Sequence, residues 1–115
     1  MRKIAFPGTA ARVIWAGTDR FLAEDYFLAL DKKARARAEV LFRKMADVGE
    51  IRNELHFRHE GDGIYCFKPG QHRFPCFRDG RDVIVTHGFK KQRDKMPKRE
   101  FERAREARRR YEEAT

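Results

Sequence analysis

The sequence predicts an α+β domain: a small, mainly antiparallel sheet with helices on one face, the other face partly open, an amino-terminal helical hairpin and a carboxy-terminal helix. Three observations predict it. Residues 19–48 carry apolar side chains at helical spacing, residues 64–87 change to short β-prone runs split by turn dipeptides, and helical spacing returns after Pro97. A chain of 115 residues fits a single domain spanning 1–115.

Met1 to Ala10 reads as a short irregular lead containing Pro7 and Gly8. Arg12 to Ala16 is β-prone, stops at Gly17 and reads as a strand. Thr18 can cap a helix from about Asp19 to Leu30, since its hydroxyl can accept an early backbone N–H. Asp31 reads as a second cap. Ala34, Ala38, Leu41, Met45 and Val48 then recur in steps of four and three, and Gly49 suits the positive φ that ends many helices. Two helices with almost no loop between them predict a hairpin.

Glu50 to Gly63 is polar and reads as a loop, with a short strand at Glu54 to Phe57. Ile64 to Phe67 is one strand, Pro69-Gly70 a turn, and His72 to Arg78 a second strand. Asp79-Gly80 signals a tight hairpin whose two central residues take positive φ. Asp82 to His87 is the third strand, with Val83, Val85 and His87 on one face and Asp82, Ile84 and Thr86 on the other. Pro75 cannot donate to a ladder and predicts a bulge, or a position whose nitrogen faces away from a neighbour. A basic linker, Lys90 to Lys95, leads to Pro97 at the start of a helix whose apolar stripe is Phe101, Ala104, Ala107 and Tyr111.

Composition excludes several classes. No apolar run approaches the ~20 residues of a membrane span, and the start has no continuous apolar stretch of the kind a secretion signal needs. Cys66 and Cys76 are too few for a disulfide scaffold and lack metal-site spacing, so the expectation is a cytoplasmic protein with reduced thiols and no metal or other cofactor. Ten Phe suit a packed interior. Lys and Arg number 27 against 18 Asp and Glu, a net charge of +9 that favours nucleic acid or an acidic protein as partner.

The charge is concentrated. His87 to Thr115 holds 11 Lys and Arg against 6 Asp and Glu. Lys68, Arg73, Arg78 and Arg81 lie in the neighbouring strands, so a face with Lys68, Arg73, His87, Lys90 and Lys91 would attract a phosphate backbone. Tyr65, Phe67, Phe74, Phe77 and Phe89 are core rings unless one faces solvent to stack a base. His87 sits at a strand end beside lysines, where an imidazole could exchange a proton near neutral pH. His56, His59 and His72 are weaker candidates.

There is no Ser-His-Asp set, no phosphate-cradling glycine loop and no carboxylate pair with metal spacing. RNA cleavage by its own 2′-OH needs only a base, an acid and cations around the phosphate. His87 would serve as acid or base and Arg73 and Lys68 would stabilise the phosphate, while Lys90, Lys91, Arg93 and Arg78 would grip the RNA.

The run Gly63-Ile64-Tyr65 through Arg73, then Asp79-Gly80, then Val83-Ile84-Val85-Thr86-His87-Gly88-Phe89-Lys90-Lys91, then Pro97 and Glu100, resembles the RelE/HigB-type toxins of bacterial type II toxin–antitoxin systems, nearest their phage-derived branch. The likeness covers roughly residues 50–112. It implies a RelE-like fold, cleavage of mRNA, often on the ribosome, and neutralisation by a cognate antitoxin, for which a helix-turn-helix protein is expected. It points to Arg73, His87, Lys90 and Lys91 as matching positions. Lys68 stands where that branch usually has Arg, in the triplet Cys66-Phe67-Lys68. Two other functions fit the same scaffold: a ParE-like inhibitor of DNA gyrase without RNase activity, and a non-catalytic basic nucleic-acid-binding module.

Overall fold

A computed structural model describes residues 2–114. The chain opens with a β-hairpin, β1 (Arg2–Pro7) and β2 (Arg12–Ala16), followed by helices α1 (Leu22–Ala29) and α2 (Lys32–Val48). Strands β3 (Phe57–Gly61), β4 (Ile64–Phe67), β5 (His72–Asp79) and β6 (Asp82–Val85) form a meander, a short β7 (Phe89–Lys90) adds to β5, and α3 (Lys98–Ala114) closes the chain. The main path of the sheet runs β1-β2-β6-β5-β4-β3. Every neighbouring pair is antiparallel except β2 and β6, which run parallel across the crossover made by the two helices and the meander. Among the described residues, no helix is long and apolar enough to cross a membrane.

The α+β architecture and the carboxy-terminal helix agree with the sequence reading. The helical pair, however, is not amino-terminal. The stretch read as an irregular lead is β1, whose pairing with β2 supplies the order that its own residues do not signal. The first helix starts at Leu22, later than expected, with Phe21 at its cap and no side-chain cap bond from Thr18. A tight turn precedes it: a Cβ on Gly17 would stand 2.3 Å from the Arg20 carbonyl. The second helix begins and ends as read. The Asp31 carboxylate accepts the Ala34 N–H at 2.9 Å, and Gly49 takes φ 88°.

The expected strand at Glu54–Phe57 is displaced to β3. Asn53 turns the chain first, its side chain accepting the Leu55 N–H and its carbonyl the N–H groups of His56 and Phe57. The third predicted strand ends at Val85 rather than His87. In the hairpin before it, only Gly80 has positive φ (61°), because Asp79 already pairs with Asp82.

Pro75 makes no bulge. Its carbonyl accepts the Thr86 N–H at 2.9 Å, so its nitrogen faces the same side, where the β6 ladder has just ended at Val85. The β4 side loses no donor.

Both faces of the sheet carry helices, which corrects the expectation of helices on one face only, and the second face stays partly open. On one, Val13, Trp15, Phe67, Phe74, Val83 and Val85 pack under α1 and α2. Phe42 of α2 is the hub, with ring centroids 4.8–5.9 Å from Phe6, Trp15, Phe27, Phe67 and Phe74. On the other, Ile14, Ile64, Phe77 and Ile84 pack under Ala104 and Tyr111 of α3. The helical stripe of α2 is rotated from the one read in sequence. Phe42 and Ala46 are buried, whereas Val48 is 57% exposed.

Asp82 ties the two halves of the sheet. It is 4% exposed and accepts from Arg12 Nε at 2.7 Å, Arg12 Nη2 at 3.0 Å and Arg2 Nη2 at 2.6 Å. Burial pushes its carboxyl up, but the hydrogen bonds from Arg12 and Arg2 outweigh that and hold it below the ordinary range. Arg2 also donates to the Tyr111 hydroxyl at 2.8 Å, so β1, β2, β6 and α3 meet at one carboxylate. Asp82→Ala is expected to lower the unfolding free energy by about 2–3 kcal/mol, measured by urea denaturation, because two half-exposed guanidinium groups lose a buried partner. Arg2→Ala should cost less, since Arg12 keeps its two bonds.

Candidate functional site

Three strand ends meet at one end of the sheet. β4 finishes at Phe67, so Lys68 follows it, and Pro69-Gly70 turns the chain with Gly70 at φ 59°. β5 starts with His72 and Arg73, and β7 lies beside it with His72 opposite Lys90 and Arg73 opposite Phe89. The Lys91 N–H continues the pairing to the Gln71 carbonyl at 2.7 Å. Lys68, His72, Arg73, Lys90 and Lys91 are thereby gathered from three separate segments. Directly opposed residues share a face. His72 and Lys90 therefore stand on the α1 side of the sheet, and Arg73 on the α3 side.

The cations are partly engaged. Arg73 is buried and its Nη1 donates to the carbonyls of Gly70 at 2.9 Å and His72 at 2.8 Å, bracing the turn. Lys68 Nζ donates to the Glu54 carbonyl at 3.2 Å. Lys91 pairs with Asp94 at 2.6 Å. The bond from Lys91 holds the exposed Asp94 carboxyl below the ordinary range, with smaller contributions from the charges of Lys68 and Arg73. One anion thus sits in the field of three of the gathered cations.

His72 is the imidazole at this sheet end, on the face that it shares with Lys90. Its Nδ1 lies 2.7 Å from the Tyr26 hydroxyl, and the two rings meet edge to face at 5.7 Å. Burial lowers its pKa first, then the charge of Lys90, with Asp31 opposing and Arg73 reinforcing. A half-buried, neutral imidazole results. When Nδ1–H donates to the Tyr26 oxygen, Nε2 carries the lone pair that can take a proton. Gly88 makes this contact possible: a Cβ there would stand 2.5 Å from the Tyr26 ring. The small residue after His87 has this steric reason.

His87 lies elsewhere. It is 2% exposed, with Nε2 3.0 Å from Glu100 Oε1 on α3 and Nδ1 2.9 Å from the Thr86 hydroxyl. Its ring stacks on Phe89 at 5.8 Å. Burial lowers its pKa to about 4, the charge of Arg103 adds to this, and Glu100 opposes both. The Thr86 hydroxyl also donates to the Pro75 carbonyl at 3.2 Å, so both ring nitrogens of His87 are engaged in one buried network. Arg103 Nη1 completes the arrangement by donating to Glu100 at 3.0 Å. His87 is a buried pin between the end of β6 and the first turn of α3, with both ring nitrogens engaged.

Of the residues read as functional, the structure brings together Lys68, Arg73, Lys90 and Lys91. Arg93 is exposed two residues along the same segment. Arg78 is at the far end of β5, where its Nη2 donates to the Gly49 carbonyl at 2.9 Å and reaches Met45 Sδ at 3.5 Å, closing the carboxy-terminal end of α2. The sequence reading ranked His72 low and did not single out Tyr26 as functional. The usable signal for His72 was its place directly after a Pro-Gly turn and next to Arg73. Among the described residues, no group of three or more His, Cys, Asp and Glu has the arrangement of a metal site.

The His87 environment carries a pH signature. A folded pKa below the unfolded value means that the unfolded chain binds the proton more readily, so stability falls as pH drops from about 6.5 towards about 4 and is fully present above 6.5. Urea denaturation across that window is expected to show a loss on the order of 3 kcal/mol, most of which a His87→Gln variant should remove. His72 acts in the same direction but more weakly, being half-exposed.

No relative was found among curated proteins. A family model described as phage derived protein Gp49-like (DUF891) matches residues 25–109, from within α1 through most of α3, and so takes in both histidines and every gathered cation. The chain belongs to this Gp49-like, phage-derived family.

Proposed function

We propose that this protein is the toxin component of a type II toxin–antitoxin system and acts as an endoribonuclease on mRNA. The Gp49-like family is associated with such toxins. The observation that carries the reading is the convergence of Lys68, His72, Arg73, Lys90 and Lys91 at one sheet end. In this reaction His72 Nε2 takes the proton of a 2′-OH, and the 2′-oxygen attacks the adjacent phosphorus. The 5′-oxygen leaves with a proton from the Lys68 ammonium, giving a 2′,3′-cyclic phosphate and a free 5′-OH. Lys90, on the same face as His72, stabilises the charge that builds on the phosphorane oxygens, and Arg73, Lys91 and Arg93 attract the backbone where it passes the sheet end. No step requires a metal ion. Asp94 is the resident counter-ion that an incoming phosphate displaces.

The cellular setting proposed with this chemistry is the cytoplasm, with translating ribosomes as the place of action and a helix-turn-helix antitoxin as the neutralising partner. The bracing of Arg73 against its own turn favours a second reading, a basic module that binds nucleic acid without cutting it, and the same experiment separates the two.

Purified protein incubated with RNA and with translating ribosomes should yield cyclic-phosphate ends. His72→Ala is expected to slow cleavage by about a hundredfold or more and Tyr26→Phe by about tenfold, with RNA affinity unchanged. The acid limb of the rate profile should lie below the ordinary histidine value, since His72 must be neutral to act as base and its pKa is lowered. Full activity in a folded His72→Ala variant would remove His72 from the mechanism. Tight binding without cleavage by the parent would establish the second reading. Intact mRNA beside broken DNA in poisoned cells would instead indicate gyrase as target.

A further inference from the structure

The α3 face of the sheet is only half clothed. α3 packs over β4 and β5, and beside it the end of β2 at Ala16, the turn after it and Thr86 border a groove of about 550 Å³. Ala16 and Leu22 line one side, Ala107 and Tyr111 the other. Leu22 is 43% exposed, and Ile4, directly opposite the buried Ile14 and therefore on this same face, is 51% exposed. The other face of the sheet carries two helices, α1 and α2.

The rim is charged in a particular way. Arg20, Arg99, Arg103 and Arg110 line the groove, together with Glu102 and Glu106 on α3. Arg110 approaches Glu106 at 3.8 Å, Arg99 approaches Glu100 at 3.9 Å, and Arg20 pairs with Asp25 at 3.2 Å, all at the solvent-exposed rim. A nucleic-acid strand presents phosphates along its whole length and would meet both glutamates. It would also find no free ring on which to stack, since Tyr111 is buried and tied to Arg2. A peptide with an apolar stripe and mostly acidic flanks meets the floor with one side and the arginines with the other.

We propose that this groove is a docking site for an acidic amphipathic helix, which lies alongside α3 and completes a second helix pair on that face. From Arg99 to Tyr111 the groove follows α3 for roughly 18 Å, the length of three to four helical turns. The anchors are Ala16, Leu22 and Ala107, and Arg20 and Arg110 supply the charge contacts. The site is separate from the Lys68–His72–Arg73 cluster, so it stands or falls independently of the reaction proposed above.

The test uses the full chain and three labelled probes: a synthetic helix with Leu at three- and four-residue spacing and Glu elsewhere, a scrambled peptide of the same composition, and an oligouridine. Fluorescence anisotropy should show the periodic peptide binding in preference to the scrambled one. Leu22→Asp and Arg110→Glu should each weaken it at least tenfold, while Lys44→Glu, the same charge change on exposed α2, leaves it within twofold. Amide shifts on peptide addition should centre on Ala16, Leu22 and Ala107, a readout independent of the variants. Equal binding of the scrambled peptide, or unchanged affinity in the folded groove variants, would overturn the proposal. So would oligouridine binding lost through Leu22→Asp, which would make the groove an RNA surface. A parent dimer dissolved by Leu22→Asp would likewise overturn it, by making a second copy the occupant.

Discussion

The parallel contact between β2 and β6 is the joint on which the molecule depends. An amino-terminal hairpin far away in sequence must find the last strand of the meander, with Arg12 opposite Asp82 and Trp15 opposite Val85. Apolar burial alone does not choose this register, since Val13, Ile14, Val83, Ile84 and Val85 would pack in several slips. A slip by one residue would turn Trp15 away from the Phe42 cluster and leave Asp82 without Arg12. The doubly held carboxylate therefore sets the alignment that the hydrophobic layers then fill. Because Arg2 continues from Asp82 to Tyr111, the same carboxylate fixes where α3 lies.

Two imidazoles near that frame have diverged in use. His87 is sealed, with Glu100 on one ring nitrogen and Thr86 on the other, so its chemistry goes into holding α3 against the end of β6. His72, at the opened sheet end, is restrained on one nitrogen by Tyr26 and shares its face with Lys90. Burial keeps both neutral, completely for His87 and partly for His72. Only the second stands at the basic sheet end, opposite Lys90. Asp94 offsets part of the positive charge of Lys91, Lys68 and Arg73.

Local chemistry was legible in the sequence and long-range pairing was not. Asp31 and Gly49 declared the limits of α2 because capping is settled within four residues. The strands around Ile64 and Asp82 were legible from alternation and from Gly80. β1 was not, since its order comes from β2 and from Arg2 reaching Asp82. The basic end of the sheet could be read because charge density survives without coordinates. Which histidine joined it depended on whether α3 would cover the residue after Thr86, and that hinged on Glu100 folding back on His87. Arg78 was misleading for a related reason: in a strand of eight residues, arginines at the two ends serve different neighbours.

The two outermost strands carry a consequence for how this molecule meets others. β1 begins with Arg2 and Lys3 and changes register between Ile4 and Phe6, while β3 exposes Arg58 and His59 and changes register between His59 and Gly61. A charged, kinked border presents few unpaired backbone groups in the straight row that another chain could extend. Copies of this protein are thus guarded against growing into fibrils through backbone ladders.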